Sequence, residues 1–194
     1  DLEGTNSAGD LGFASSINYQ HRNLFKGSEA FTAKIRGAYE NLGSSSDNSV
    51  GNYWEIGAET GISFPQFLFP FLSERIARRL RATTEFKVSY SFQTRPEYQR
   101  AILSGGWNYI WQDRFNTQAK HVFKLIDIDY VHLPKIDRAF ADSLPESTKL
   151  YNFTDQFVLG TGYTYSFSNY VPQNKLRNTH SLRFSFEMAG NLLY

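Results

Sequence analysis

The sequence predicts an all-β chain of antiparallel strands long enough to cross a bilayer as part of a barrel. Three observations predict it. A hydrophobic period of two returns in run after run, the runs outlast ordinary strands, and charged residues sit in mid-run on the face opposite the apolar one.

The first run sets Phe13, Ser15, Ile17 and Tyr19 against Gly12, Ala14, Ser16, Asn18 and Gln20. The second sets Phe31, Ala33, Ile35, Gly37 and Tyr39 against Thr32, Lys34, Arg36, Ala38 and Glu40. In the third, Trp54, Ile56, Ala58, Thr60, Ile62 and Phe64 oppose Glu55, Gly57, Glu59 and Gly61. The fourth is the cleanest, with Phe86, Val88, Tyr90 and Phe92 opposing Glu85, Lys87, Ser89, Ser91 and Gln93. The fifth carries Ala101, Leu103, Gly105, Trp107, Tyr109 and Trp111 on its apolar face. The sixth aligns Val122, Ile126, Ile128 and Tyr130 opposite Asp127 and Asp129. The seventh aligns Phe157, Leu159, Tyr163, Tyr165 and Phe167 opposite Gln156, Gly160, Gly162, Thr164 and Ser166. The eighth aligns Leu182, Phe184, Phe186 and Met188 opposite Arg183, Ser185 and Glu187.

About eight strands of about 10 to 13 residues result, against about 5 to 6 for an average globular strand and about 9 to 11 for a tilted membrane strand. Lys34, Arg36, Glu55, Glu59, Glu85, Lys87, Asp127, Asp129, Arg183 and Glu187 all fall on the polar faces. A sandwich core could not hold them without a large desolvation cost, whereas a wet lumen can. These ten are expected to face the lumen. The belt expected to face lipid comprises Phe31, Ile35, Tyr39, Trp54, Ile56, Phe86, Val88, Tyr90, Phe92, Leu103, Trp107, Tyr109, Phe157, Leu159, Tyr163, Tyr165, Phe184 and Phe186. Aromatics gather toward run ends, at Tyr19, Tyr39, Trp54, Phe64, Phe92, Trp111, Tyr130 and Phe167, where interfacial girdles sit.

Composition agrees. Aromatic residues make up 16% of the 194, with 17 Phe and 12 Tyr but a single Met. Mean hydropathy is nevertheless −0.45. A polar average with many aromatics suits a barrel with an apolar outside and a polar inside; a soluble β-sandwich or lipocalin-like barrel is the other class it allows. Twenty Lys and Arg against 19 Asp and Glu give a net charge of +1, so no field gathers nucleic acid. The absence of Cys excludes disulfides and thiolate metal sites. No run approaches the roughly 20 apolar residues of a membrane helix; the longest apolar cluster, Phe67 to Leu72, is broken by Pro70. Asp1 follows neither an initiator Met nor a signal peptide, so a mature form or an excised piece is expected.

The connections differ in kind. Residues 43–52 are rich in Ser, Gly and Asn and read as an exposed loop, and 134–154 is the longest. Asn23–Glu29 and Gln112–Thr117 read as short turns at the opposite, periplasmic end, while Arg95-Pro96-Glu97-Tyr98 is a tight connection on the outer side. Between Pro65 and Ala82, Leu72, Ile76 and Leu80 recur at spacing four among Arg75, Arg78, Arg79 and Arg81, which suggests a short helix in the periplasmic interface; a solvated basic linker is the plainer alternative.

No enzyme chemistry is legible. His21, His121, His132 and His180 are scattered, and no nucleophile elbow or phosphate loop occurs. Asp127 with Asp129, and Glu55 with Glu59, share strand faces but supply too few convergent ligands for a cation. No cofactor and no metal is expected.

Several segments carry a family resemblance. Glu3-Gly4-Thr5-Asn6-Ser7-Ala8-Gly9-Asp10-Leu11-Gly12, a strand, and then Asn23-Leu24-Phe25-Lys26-Gly27-Ser28-Glu29 resemble the opening hairpin of the BamA/TamA outer-membrane assembly factors, in their Bacteroides-like form. Asn-Leu-Phe-x-Gly is the most specific piece. Arg95-Pro96-Glu97-Tyr98-x-Arg100, Tyr163-x-Tyr165-Ser166 and Glu187-x-Ala189-Gly190-Asn191-Leu192-Leu193 support it, so that the likeness covers essentially the whole chain. The resemblance implies a 16-stranded barrel in the bacterial outer membrane, preceded by periplasmic POTRA domains. It implies work in folding and inserting nascent outer-membrane proteins, or in translocating surface material, together with accessory assembly proteins. On that alignment Asp1-Leu2-Glu3 tops the first barrel strand and the eight runs are the second to ninth. Residues 1–194 are then the N-terminal half of a barrel domain. The POTRA domains, most of the first strand, the C-terminal strands, the lateral seam and the long loop with its Arg-Gly-Phe-type motif lie outside it. The competing expectation is a complete eight-stranded outer-membrane barrel with a structural or adhesive role, since the eighth run keeps its apolar face as far as Tyr194.

Overall fold

Alternating residues with β-branched and aromatic side chains favour a pleated surface with one face buried or in lipid. In a computed structural model of the chain they form nine antiparallel strands in one sheet. The structure describes residues 2–7, 10–42, 51–68, 80–113, 118–146, 148, 153–169 and 178–191. The strands are β1 (Leu2–Ser7), β2 (Asp10–Arg22), β3 (Ala30–Leu42), β4 (Gly51–Phe64), β5 (Leu80–Thr94), β6 (Tyr98–Asp113), β7 (Ala119–Ile136), β8 (Gln156–Ser168) and β9 (Ser181–Asn191). Each pairs with its sequence neighbours in the order β1 to β9, and the sheet does not close on itself. Among the described residues a short helix, α1 (Arg138–Ser143), follows β7.

The eight expected runs all become strands, and β1 is a ninth. Leu2–Ser7 has no alternation of its own; it extends because it pairs with Asp10 to Ser15 of β2. Strands β4 to β7 have 14, 15, 16 and 18 residues, longer than the alternation alone suggests. Their ends stay paired past the apolar stretch.

Register fixes the faces. Ile17, Ile35, Ala58, Tyr90, Leu103, Tyr130 and Phe157 form one cross-strand row. Lys34, Glu59, Ser89, Ser104 and Asp129 form a row on the other face.

Two irregularities in β7 re-aim its side chains. Leu133 and Pro134 oppose Arg100 alone, at a place where proline's missing N–H costs no ladder bond. Leu125 is extra between Lys124, which pairs with Asn108, and Ile126, which pairs with Trp107. This second bulge corrects one sequence expectation. Val122 does not share a face with Ile126 and Ile128; it pairs with Ile110 and Thr164 on the charged face, while His121 and Phe123 take the apolar one. A period of two cannot be carried across an inserted residue.

The glycines give the sense of curvature. A Cβ built on Gly57, Gly61, Gly106, Gly160 or Gly162, all on the charged face, meets neighbouring atoms at 3.0–3.8 Å, and the carbonyl oxygens of adjacent strands are among them. A Cβ on Gly4, Gly37, Gly105 or Gly190, on the apolar face, meets nothing within 4 Å. Neighbours converge on a concave surface and diverge on a convex one, so the sheet curls with its charges inside.

Candidate functional site

The candidate site is the sheet itself: an apolar convex face, a charged concave face and two edges. The expected belt residues share the convex face on every strand that carries them. They are Phe31, Ile35 and Tyr39 of β3, Trp54 and Ile56 of β4, and Phe86, Val88, Tyr90 and Phe92 of β5. Leu103, Trp107 and Tyr109 of β6, Phe157, Leu159, Tyr163 and Tyr165 of β8, and Phe184 and Phe186 of β9 complete the set. Half of these large side chains are exposed, Ile35, Ile56, Val88, Leu103 and Leu159 among them. A soluble protein rarely leaves so continuous a surface uncovered.

Aromatic rings form two rows on this face. At the end where β3 meets β4, Phe13 lies 5.6 Å from Tyr39, and Trp54 lies 5.4 Å from Phe92. At the opposite end, Tyr19 is 6.4 Å from Phe31, Phe64 is 6.1 Å from Phe86, and Phe86 is 5.0 Å from Trp107. The second row continues through Trp111, stacked on His121 at 5.1 Å, to Tyr165. Phe31 and Tyr39 are separated by about 27 Å along β3 at roughly 3.4 Å per residue. A tilt of about 40° brings that to about 21 Å of height, close to the roughly 25 Å apolar band of outer-membrane barrels.

One belt expectation needs correction. Tyr109 lies on the convex face but is only 1% exposed. The chain after β4 turns back over it: Phe67 stacks on Tyr109 at 4.5 Å, and the Tyr109 hydroxyl donates to the Leu68 carbonyl at 3.0 Å. Thr84 beside it, fully buried, accepts from Leu68 N–H at 3.0 Å and donates to the Gln66 carbonyl at 2.8 Å. Tyr109 is therefore covered by the protein's own chain. Alternation assigns a face, not what lies against it. The helix expected between Leu72 and Leu80 lies outside the described residues, apart from its end: Leu80 and Arg81 are strand, paired with Asp113 and Gln112.

The concave face carries the ten expected charges: Lys34, Arg36, Glu55, Glu59, Glu85, Lys87, Asp127, Asp129, Arg183 and Glu187. Several are tied to neighbours across strands. Lys124 of β7 reaches over Gly162 of β8 to Glu187 of β9 at 3.1 Å, and meets Asp127 at 3.4 Å. Lys87 lies 3.6 Å from Glu85, and Ser104 donates to Asp129 at 2.5 Å. Glu55 accepts from the Tyr53 hydroxyl and from Gln93 at 3.4 Å, and Arg100 donates to Gln93 at 3.0 Å. Asp127 and Asp129 thus each have a protein partner. No group of three or more His, Asp or Glu side chains able to hold a metal ion occurs among the described residues.

The family-like motifs have structural work. In the turn after β2, Asn23, Lys26 and Ser28 adopt left-handed backbone conformations at φ 70, 65 and 66°. The Glu29 carboxylate accepts from Phe25 N–H at 3.1 Å and Gly27 N–H at 3.0 Å, and Asn23 Oδ1 accepts from Ser28 N–H at 3.0 Å. The Glu29 carboxyl is held below the usual range by its own backbone N–H, against an opposing push from burial, and by the N–H groups of Gly27 and Phe25. A Cβ at Gly27 would displace that carboxylate from its present position. In the tight turn after β5, Arg95 N–H donates to the Tyr98 carbonyl at 2.9 Å.

Sequence reasoning missed the docking of the β7–β8 connection. Phe140 of α1 and Phe153 lie 5.5 Å apart and pack on Tyr98 at 6.3 and 5.4 Å. Asp137 caps α1 by accepting from Phe140 N–H, and its own N–H donates to the Glu97 carbonyl. The two Phe, Phe140 and Phe153, in a connection rich in charged and hydroxyl residues are the available signal. Asp155 closes the connection, accepting from Leu133 N–H at 2.9 Å and pairing with His132 at 2.7 Å. Residues 43–50 and 114–117, and Tyr194, lie outside the described residues.

No described helix is long and apolar enough to cross a membrane, which says nothing of strands. No family model, curated protein or solved structure matches this chain.

Proposed function

We propose that this chain is a stretch of wall from a bacterial outer-membrane β-barrel of the BamA/TamA-like kind. Such a barrel folds and inserts other β-barrel proteins, or passes surface material outward, through a lateral seam. It is not an enzyme and uses no cofactor. The observation that carries the reading is the separation of the two faces: an exposed apolar convex surface between two aromatic rows, against charges on the concave side. A sheet so built is stable with lipid outside and water inside.

The mechanism follows from that placement. The belt seats the barrel in the bilayer. The charged face lines a wet lumen. Strand edges that lack a partner, as β1 and β9 do among the described residues, are templates on which a nascent client strand can pair before release. Periplasmic domains of the same protein and accessory assembly proteins would deliver clients. Among the described residues nine strands form an unclosed sheet, which weighs against an eight-stranded barrel that pairs its first and last strands.

The test is the size and behaviour of the native protein in isolated outer membranes, detected with an antibody to residues 134–154 on boiled and unboiled gels. The expected result is a heat-shifted band several times larger than 22.3 kDa that crosslinks to newly made barrel proteins. A heat-shifted band near 22.3 kDa would establish a small complete barrel and remove the assembly reading.

A further inference from the structure

The most fully buried large side chains among the described residues, Tyr109 and Thr84, lie on the convex face, where a barrel meets lipid. Among the described residues, an irregular piece of chain, Pro65 to Leu68, lies against them from outside. Its backbone takes hydrogen bonds from side chains: the Gln66 and Leu68 carbonyls accept from Thr84 and Tyr109, and Leu68 N–H donates to Thr84. In water such groups would be solvated without help. Against hydrocarbon, an irregular backbone is tolerated only where the protein itself satisfies its polar groups. Phe67 also joins the second aromatic row, stacking on Tyr109 and meeting Trp111 edge-on at 6.2 Å.

We propose that residues 65–68 form a membrane strap. These four residues leave β4 along the outer wall, immersed in the lipid leaflet at the level of that aromatic row, and Thr84 and Tyr109 supply the hydrogen bonds water cannot. The partner is the lipid surface itself. The proposal rests on the barrel reading above and gives a polar role to two side chains that the belt pattern alone would waste. The β2–β3 turn at the same end is built differently: Glu29 and Asn23 satisfy its N–H groups locally, and its Leu24 and Phe25 stay exposed.

The chain has no cysteine, so single cysteines report unambiguously. Gln66→Cys, Lys26→Cys and Val88→Cys, each as the sole cysteine of the full-length protein, are labelled with an environment-sensitive fluorophore and refolded into phosphatidylcholine vesicles. Quenching by spin-labelled lipid is compared with quenching by iodide. The expected result is that positions 66 and 88 are quenched severalfold more by lipid, and position 26 by iodide. Iodide quenching at 66 with lipid quenching intact at 88 overturns the strap and leaves the barrel standing. Loss of lipid quenching at 88 overturns the barrel reading and the strap with it. In a Thr84→Val, Tyr109→Phe background, position 66 is expected to gain iodide access while position 88 keeps its lipid quenching. An unchanged position 66 in that background would show that the two side chains do not hold the strap, and would overturn their assigned role.

Discussion

The middle of the meander and its last strand carry the same alternation and meet different fates. At the end of β5 and β6 nearest the strap, Thr84 and Tyr109 are 0% and 1% exposed. On β9, Leu182, Phe184, Phe186 and Met188 are 55–60% exposed, and every residue of the strand is open on both faces. The first patch is covered from outside by the chain's own return. The second has one strand neighbour and nothing described above it. An apolar face can therefore be a true core or a surface waiting for lipid, and only the covering element decides which.

Substitutions sharpen that contrast. Tyr109→Ala removes a stacked ring and a hydrogen bond from a filled site and is expected to cost about 3–5 kcal/mol. Phe184→Ala on β9 is expected to cost well under half of that. Denaturant titration of both variants in the same micelles compares them, and equal losses would mean that the strap does not cover Tyr109 in solution. Val88→Arg, on the open part of the belt between the aromatic rows, is expected to lower stability in lipid vesicles by about 2–4 kcal/mol. Folding equal to the parent would contradict the outward orientation of β5.

A glycine pair tests the curvature. Gly162→Val crowds the concave face between Lys124 and Glu187 and is expected to destabilise by about 1–3 kcal/mol, chiefly by loosening β9. Gly105→Val has open space on the convex face and is expected to be near neutral. Thermal unfolding followed by circular dichroism ranks the two, and reversal of the order would put the charges on the convex side.

The smallest effect concerns pH. The Leu133 N–H, against opposing burial and with the His132 ring adding to it, holds the Asp155 carboxyl below its ordinary range. Its anchoring of the β7–β8 connection is thus complete above the unfolded value, about 3.9, and is lost as pH falls through the folded one. Limited proteolysis of residues 137–155 is expected to accelerate in strong acid in the parent. In Asp155→Asn it should already be fast at neutral pH, and protection equal to the parent at pH 7 would remove Asp155 from that role.

What the sequence determined by itself is the face of nearly every strand residue. Side chains in a strand alternate without reference to anything distant, so Phe86, Val88, Tyr90 and Phe92 had to lie together and opposite Glu85 and Lys87. Turn chemistry was also local: Asn23, Gly27 and Glu29 close their hairpin through bonds within seven residues. Tertiary structure decided what depends on a partner strand or a returning chain. β1 exists only because β2 offers it a ladder, and Val122 changes face because the extra Leu125 is defined only against β6 and β8. Tyr109 is covered because Phe67, 42 positions earlier, comes back to meet it. No local period encodes a contact of that range, since its free energy belongs to two segments that the chain must first bring together.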